Sequence, residues 1–201
     1  MNESPCHSDY ILPTIHNIVK ALYPTAPATF LDLGCGTGHV AESLAWLGHS
    51  VTAIDSSAAS ISIAKTAHRH VRFETCSLYD DQLFDIMGRN RVDCVLSLEV
   101  VEHLYYPKRL FEQSQMLLRN GGHLIISTPY HGYFKNCALS MINGWDRHFG
   151  VHWDGGHIKF FSKRSLAAMA RDGGFTDLRF RGVGRLPALW KSLIMVGEKK
   201  P

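Results

Sequence analysis

The chain of 201 residues lacks the features that would place it in a membrane, in a disulfide scaffold or on nucleic acid. No apolar run approaches the ~18 residues needed to cross a bilayer, and the opening MNESPCHSDY has no basic, apolar signal pattern. The five cysteines are an odd number without a C-x-x-C pair, which argues against a disulfide framework and a zinc ribbon. The net charge of +3 is too small to indicate nucleic acid. We therefore expect a soluble, cytoplasmic protein without a membrane span.

The length and the order of segments predict one α/β domain covering residues 1–201. Strand-like and helix-like segments alternate after residue 28, which predicts a doubly wound, mostly parallel sheet with helices on both faces. The last two strands have no helix between them and predict an antiparallel hairpin at the C-terminal edge. Seven strands are predicted at 29–33, 50–54, 71–75, 92–97, 121–129, 175–183 and 192–199, and helices at 10–22, 38–47, 57–68, 80–87, 107–118 and 165–172.

Two segments lie outside this alternation. Residues 1–27 contain an N-terminal helix that ends before Pro24 and Pro27. Residues 130–162 show no clear periodicity and are rich in glycine, histidine and aromatic residues. We interpret them as an insertion that forms a lid over the active site.

The sequence LDLGCGTGHV places three glycines, Gly34, Gly36 and Gly38, directly after the first strand. Glycines at this spacing indicate a sharp turn that lets a ligand approach the backbone. Asp55 closes the second strand, 17 residues after the last glycine, where a carboxylate can accept hydrogen bonds from two ribose hydroxyls. Together these residues predict a nucleotide-type cofactor site.

The residues around the glycines narrow the choice of cofactor. The spacing is G-x-G-x-G, whereas a dinucleotide site has G-x-G-x-x-G, and no G-K-[ST] follows as in nucleoside triphosphate loops. Asp32 would repel a phosphate but would attract a cationic amino group. S-adenosylmethionine has an ammonium, a sulfonium and an adenosine but no phosphate, and it is the cofactor that we expect.

This motif resembles the first motif of the class I S-adenosylmethionine-dependent methyltransferases. The resemblance implies a Rossmann-like fold, in which Asp32 and the three glycines surround the methionine portion of the cofactor. It also implies that Asp55, with Ser56 beside it, holds the ribose. Further along the chain, it implies that Ser77 and Leu78 flank the adenine and that Leu98 lies beside the methionine end.

A second motif, Ser97-Leu98-Glu99-Val100-Val101-Glu102-His103-Leu104, follows the fourth strand and brings two carboxylates and an imidazole to the cofactor end of the sheet. On a helical turn, Glu99, Glu102 and His103 would project on one face. Such a set can hold a divalent cation. Without a metal, Glu102 and His103 would assist removal of a proton from the acceptor, with His103 or a later histidine, His157, as the general base. Glu102 and His103 can also be a simple helix-start cap and a packed histidine.

With GGHLIISTP and Gly156-His157-Ile158-Lys159-Phe160-Phe161, the second motif resembles the O-methyltransferases of ubiquinone biosynthesis. That resemblance implies a divalent metal held by Glu99, Glu102, His103 and His157. Because the first arginine is Arg69, the family's basic residue in the N-terminal helix has no arginine counterpart, and the quinone substrate does not carry over. A similar cluster in small-RNA 3′-end 2′-O-methyltransferases makes His148 or His152 alternative ligands, but the absence of a basic groove argues against RNA.

The insertion is rich in aromatic residues, which favours a planar, largely apolar acceptor unless these rings form the lid's own core. The sequence therefore predicts methyl transfer, with S-adenosylmethionine as cofactor and a divalent metal as a second candidate, to a hydroxyl of a small aromatic or quinone-like metabolite. The alternatives are an N- or C-methyltransferase of a small heterocycle and a non-catalytic S-adenosylmethionine-binding module. The aromatic residues of the 130–162 insertion are Tyr130, Tyr133, Phe134, Trp145, Phe149, Trp153, Phe160 and Phe161.

Overall fold

A computed structural model describes residues 10–80, 82–88, 90–149, 156–187 and 189–200. Its centre is a seven-stranded sheet in the order β3-β2-β1-β4-β5-β7-β6. The first five strands in sequence are mutually parallel, whereas β7 is antiparallel to both of its neighbours. The predicted fold class, with its antiparallel C-terminal hairpin, is confirmed. The strands are β1 Thr29–Leu33, β2 Ser50–Asp55, β3 Arg72–Thr75, β4 Val92–Leu98, β5 Leu118–Pro129, β6 Phe175–Val183 and β7 Ser192–Lys199.

Two hydrophobic clusters bury the two faces of this sheet. In β1, Leu31 and Leu33 belong to one cluster, while Phe30, which precedes them in the strand, belongs to the other. In β4, Val95 and Leu96 divide in the same way. Successive side chains of a strand point to opposite faces, so a strand covered on both sides is mostly apolar, as these strands are apart from a few polar residues such as Asp32 and Ser97.

Helices cover both faces and start and end within a few residues of the predicted positions. Ser57 caps α3, because its hydroxyl accepts a hydrogen bond from the backbone N–H of Ser60 at 3.2 Å. No described helix is long and apolar enough to cross a membrane. The helices are α1 Leu12–Leu22, α2 His39–Trp46, α3 Ala58–Ala67, α4 Leu83–Ile86, α5 Lys108–Leu117, α6 Tyr133–Met141, α7 Trp145–Phe149 and α8 Lys163–Asp172.

The segment predicted to be an irregular insertion contains two of these helices, α6 and α7. The sequence did not reveal α6 because this helix has no apolar stripe: its buried residue is Lys135, and Tyr133, Phe134 and Met141 are exposed. Helical periodicity is visible in a sequence only when one face of the helix packs on a core.

The carboxyl ends of β1 and β4 lie side by side at the point where the strand order reverses. In open sheets of this kind ligands bind at that edge. Ser97 joins the two strands there, because its buried hydroxyl donates a hydrogen bond to the Leu33 carbonyl oxygen at 2.9 Å. The fold therefore brings the glycine motif and the Glu99–His103 segment to one edge.

Candidate active site

The glycine loop leaves β1 by turning back toward the end of β2. The backbone N–H groups of Gly34 and Cys35 both donate to the Ile54 carbonyl oxygen, each at 2.9 Å. Gly34 has a φ of +84°, and a Cβ at this position would lie 2.5 Å from Val100 Cγ2. Gly34 is thus required by its backbone conformation and by the close approach of the segment after β4.

Asp32 lies on the wall of a small pocket of about 230 Å³ next to this loop. The side chain is only 3% exposed. Burial, and then the nearby charge of Asp55, raise the pKa of Asp32 to about 7. A cation entering the pocket would meet this buried carboxyl group. The lining residues are Ile11, Asp32, Gly34, Cys35, Gly36, Thr37, His39, Val40, Leu98 and Glu99.

Asp55 connects the glycine loop to the start of α3. Its two carboxylate oxygens accept hydrogen bonds from the backbone N–H groups of Gly36 and Ser57, both at 2.8 Å. A carboxylate oxygen has two acceptor sites, so each can still receive a hydroxyl. Asp55 is thereby held at the end of β2, where a ribose was predicted to bind.

The structure divides the remaining predicted cofactor residues into two groups. Leu98 lines the small pocket with Asp32, Gly34 and Gly36, whereas Gly38, Asp55, Ser56, Ser77 and Leu78 lie outside its lining. The Ser77 hydroxyl accepts a hydrogen bond from the Tyr79 backbone N–H at 3.1 Å. Leu78 is buried in one of the two hydrophobic clusters.

Glu99 is held in a conformation that the sequence did not predict. Its φ is +55°, which is uncommon for a residue with a side chain and costs energy. Its backbone N–H donates to the carbonyl oxygen of Ser127, and the Ser127 hydroxyl donates to Glu99 Oε1 at 2.7 Å. Ser127, at the end of β5, thus fixes both the backbone and the carboxylate.

The helical turn that would place Glu99, Glu102 and His103 on one face does not form across the second motif. Only Val101–His103 forms a turn, of 3-10 type, and Glu99 lies before it. The left-handed residue at 99 breaks the i, i+3, i+4 relation on which that expectation depended. Three of the four residues predicted to hold a metal still come together: one ligand atom from each of Glu102, His103 and His157 lies within 4.8 Å of the others, and Glu99 is not in this group.

The carboxylate of Glu102 is the buried centre of this three-residue cluster. It is 1% exposed, and neither of its oxygens has a hydrogen-bond partner among the described residues. The Nε2 atoms of His103 and His157 each lie 4.0 Å from Glu102 Oε1. Burial, and then the charge of Glu99, raise the pKa of Glu102 to about 8.

The segment that carries His157 docks on the same turn through backbone hydrogen bonds. The carbonyl oxygen of Glu102 accepts from the N–H groups of Ile158 and Lys159, both at 3.0 Å. His103 Nδ1 lies 3.2 Å from the Gly156 carbonyl oxygen. Because a carbonyl can only accept, the neutral ring of His103 carries its proton on Nδ1 and has a lone pair on Nε2.

A second cavity of about 1040 Å³ lies beside the cluster. Glu99 belongs to the lining of this cavity and also to that of the small pocket. The wall between the two spaces therefore includes Glu99, with His103 and His157 on the larger side. The lining residues are Tyr10, Glu99, His103, Pro129, Lys135, Ala138, Leu139, Ile142, His148, His157, Arg185, Leu186, Leu189, Lys191 and Ser192.

The apolar part of the large cavity is mainly aliphatic, with Tyr10 from the N-terminal segment, although the sequence indicated aromatic rings from the insertion. Tyr130 packs edge-on against Trp190, and Phe161 is buried in the core. None of the described aromatic side chains of residues 130–162 lines the cavity; Trp153 and the side chain of Phe149 lie outside what the structure describes. The aliphatic side chains belong to Ala138, Leu139, Ile142, Leu186 and Leu189.

The other predicted histidines are separate from the cluster of Glu102, His103 and His157. His148 lines the large cavity and stacks edge-on with His131, their ring centroids 5.6 Å apart. His152 lies outside the described residues. The lining of the large cavity also contains residues that the sequence did not single out, because they come from segments far apart in the chain. Only Lys135 had a signal in the sequence, as a lysine within an aromatic stretch. The residues are Tyr10, Lys135, Arg185, Lys191 and Ser192.

Comparison with known proteins connects this geometry to an enzyme family. A family model described as a methyltransferase domain matches residues 10–179. The ubiquinone biosynthesis O-methyltransferase of Ruegeria sp. (strain TM1040) is 27% identical over 205 residues, which cover 94% of this chain and 78% of that protein. The protein of the same name from Coxiella burnetii (strain Dugway 5J108-111) is 30% identical over 158 residues, 76% of this chain and 65% of the relative.

The fold is shared with solved structures at lower identity. The magnesium protoporphyrin IX methyltransferase of Synechocystis PCC 6803, solved with bound S-adenosylhomocysteine, superposes with a TM-score of 0.72. It is 18% identical, and the superposition covers 94% of this chain and 82% of that one. At this identity the likeness concerns the fold alone.

Proposed function

Since the chain belongs to the S-adenosylmethionine-dependent methyltransferases, we propose that it methylates a hydroxyl of a small aromatic or quinone-like metabolite. One observation carries the proposal: Glu99 is shared by the two pockets, so a donor in the small pocket and an acceptor in the large cavity would meet beside His103 and His157. The names of the relatives from Ruegeria and Coxiella support a hydroxyl acceptor.

In this proposal the small pocket and the ends of β2 and β3 hold the cofactor, which supplies the methyl group when bound. The Asp32 carboxylate pairs with the ammonium of its methionine portion, next to the backbone of the glycine loop and Leu98. Asp55 accepts the ribose hydroxyls beside Ser56. The remaining residues assigned to the cofactor are Gly34, Gly36 and Gly38 around the methionine portion, and Ser77 and Leu78 at the adenine.

Methyl transfer is an in-line displacement, so the protein must align the acceptor oxygen, exclude water and take up its proton. We assign the proton uptake to the cluster of Glu102, His103 and His157. In His103 the basic atom is Nε2, since Nδ1 faces the Gly156 carbonyl oxygen. The apolar walls of the large cavity keep water from the reacting oxygen.

The same cluster fits a divalent cation. Glu102 has two buried oxygens without hydrogen-bond partners in the described part of the chain, and a cation would neutralise and coordinate them. One carboxylate with two imidazoles suits Zn²⁺, Mn²⁺ or Fe²⁺, and Gly156 would orient His103 from behind. With their lone pairs on a cation, the imidazoles would not accept the proton; the cation would instead promote its loss by lowering the pKa of the acceptor hydroxyl. Glu99 is assigned to the outside of this set, because its carboxylate is bound by Ser127.

The reaction is tested by S-adenosylhomocysteine release over a panel of catechols, hydroquinones, phenols and amino-heterocycles, with mass spectrometry of each product. We expect methyl ethers from the hydroxyl compounds, and loss of turnover with retained cofactor binding in His103→Ala and His157→Ala. Products methylated only on nitrogen or carbon would contradict the hydroxyl acceptor. Cofactor binding without turnover on any compound would support a binding module instead.

The metal is tested by elemental analysis of the purified protein and by activity after dialysis against a chelator. We expect about one equivalent of a transition metal, and loss of this metal in Glu102→Gln. The matched control is Glu42→Gln, which alters another buried glutamate, paired with His70 at 2.8 Å away from the site. Full activity without metal, or equal metal content in Glu102→Gln, would contradict the metal and leave the imidazoles as the proton acceptors.

A further inference from the structure

The large cavity carries more positive charge than the reaction requires. Its lining contains Lys135, Arg185 and Lys191, and the only carboxylate among its described lining residues is Glu99. Glu99 lies in the wall shared with the small pocket, where the methyl group is transferred in the proposed function. The basic side chains therefore face a part of the acceptor other than the reacting oxygen.

Lys135 is the unusual member of this group because it is buried. It is 9% exposed, and its ammonium donates a hydrogen bond to the Tyr130 carbonyl oxygen at 2.8 Å. No carboxylate forms an ion pair with it in the part of the chain that the structure describes. A buried ammonium is costly unless an opposite charge accompanies it.

The pKa of Lys135 reflects its burial and its position near Arg185. Burial, and then the neighbouring charge of Arg185, lower the pKa of Lys135 to about 8, while the charge of Glu99 acts in the opposite direction. Both Lys135 and Arg185 also lower the pKa of His148 on the same cavity. Lys135 and Arg185 thus act together on one region, and an anion placed there would stabilise both charges.

We propose that the acceptor carries a carboxylate, which Lys135 and Arg185 bind, on an apolar body that packs against the aliphatic side chains of α6 and of Leu186 and Leu189. The proposal rests on the proposed function for the identity of the cavity as the acceptor site. A single negative charge fits better than a phosphate dianion, because Glu99 lines the same cavity and repels a second charge.

The test is a binding measurement that does not depend on turnover. Calorimetry on the protein saturated with S-adenosylhomocysteine compares 2-naphthoate, its neutral isostere 2-naphthamide, and 2-naphthyl phosphate. We expect 2-naphthoate to bind about tenfold more tightly than 2-naphthamide, the difference typical of one hydrogen bond to a charged group. Equal affinities, tighter binding of the phosphate, or no binding of 2-naphthoate at millimolar concentration would each overturn the proposal.

Variants then test whether Lys135 and Arg185 bind the carboxylate of 2-naphthoate. Arg185→Gln alters an exposed side chain and should lower 2-naphthoate affinity about fivefold or more while leaving 2-naphthamide unchanged. Lys135→Met should do the same, and its 2-naphthamide affinity reports whether the cavity is intact. The matched control is Arg164→Gln on α8, outside the cavity lining, which should change neither affinity.

An unchanged 2-naphthoate affinity in Arg185→Gln overturns the proposal even if Lys135→Met does not fold. A different result would contradict the proposed function, namely the absence of methyl ether products from hydroxyl compounds. The two failures are therefore distinguishable.

Discussion

At the scale of single residues, the candidate site depends on carboxyl groups held away from water. Asp32 is buried beside the small pocket, Glu102 is buried in the cluster with His103 and His157, and Glu99 is fixed between them by Ser127. Burial raises the pKa of each of the three groups. Each is thus prepared for a cationic partner that stabilises its charged form.

Asp32 gives a pH dependence with a definite sign. Its pKa of about 7 lies above the ordinary 3.8, so below neutral pH the carboxyl holds a proton that must leave before an ammonium can pair with it. We expect S-adenosylhomocysteine affinity to rise with pH by up to about tenfold per unit below 7 and to level off above it. Calorimetry between pH 5.5 and 8.5 measures this dependence.

Asp32→Asn should bind more weakly and without this pH dependence. Asp172→Asn, at the exposed end of α8, is the control that should retain the wild-type profile. A flat profile in the wild-type protein would contradict the pairing of Asp32 with the cofactor.

At the scale of elements, the site is formed by loops that hydrogen bonds connect to neighbouring segments at the carboxyl edge of the sheet. The glycine loop is tied to β2 through Ile54 and Asp55, and Glu99 is tied to β5 through Ser127. The loop with His157 is tied to the turn at Glu102. These ties cross between segments far apart in sequence, so each loop depends on its neighbours for its conformation.

The glycine loop provides a prediction that separates folding from binding. Gly34→Ala should lower the free energy of unfolding by about 2 kcal/mol or more, because it combines a positive φ with contact against Val100. Gly36 has a φ of +54° and open space where a Cβ would lie. Gly36→Ala should therefore cost only about 1 kcal/mol of stability but weaken S-adenosylhomocysteine binding, since Gly36 lines the small pocket.

Gly48→Ala is the matched control. Gly48 also has a positive φ, +89°, and open space around a Cβ, but it lies after α2 and away from the pocket lining. It should lose similar stability and retain wild-type affinity, as measured by urea unfolding and calorimetry. If Gly36→Ala and Gly48→Ala bind the product cofactor equally well, the loop is not where the cofactor approaches the backbone.

At the scale of the whole molecule, one continuous sheet connects the N-terminal and C-terminal halves. β7 lies between β5 and β6, so the last strand of the chain completes the sheet rather than forming a separate unit. The large cavity is formed from both halves, with Tyr10 from the start and Ser192 from the end joined by a hydrogen bond of 2.6 Å. We propose on this basis that the chain forms a single domain.

We therefore expect one cooperative unfolding transition that ligand binding shifts as a whole. Tryptophan fluorescence and far-ultraviolet circular dichroism should give coincident midpoints. S-adenosylhomocysteine at 100 times its Kd should stabilise the fold by about 2.7 kcal/mol and raise Tm by about 5–10 °C. Two separated transitions, or a shift seen by one probe only, would contradict the single domain.

The seven strands, their order of appearance and the cofactor loop were readable from the sequence. Strands covered on both faces are mostly apolar, and a glycine motif indicates a local backbone requirement that needs no distant partner. The two helices of the 130–162 segment were not readable, because α6 buries Lys135 and has no apolar stripe to reveal it.

What the sequence by itself determined is the family, the fold and the donor of the methyl group, since each follows from local patterns of residues. The tertiary structure decided which side chains meet: it separates Glu99 from the predicted group of Glu102, His103 and His157, and it places Lys135 with Arg185 on one cavity. The physical reason is that these contacts depend on a left-handed turn at Glu99 and on loops brought together by the sheet. No periodicity along the chain reports such long-range placement.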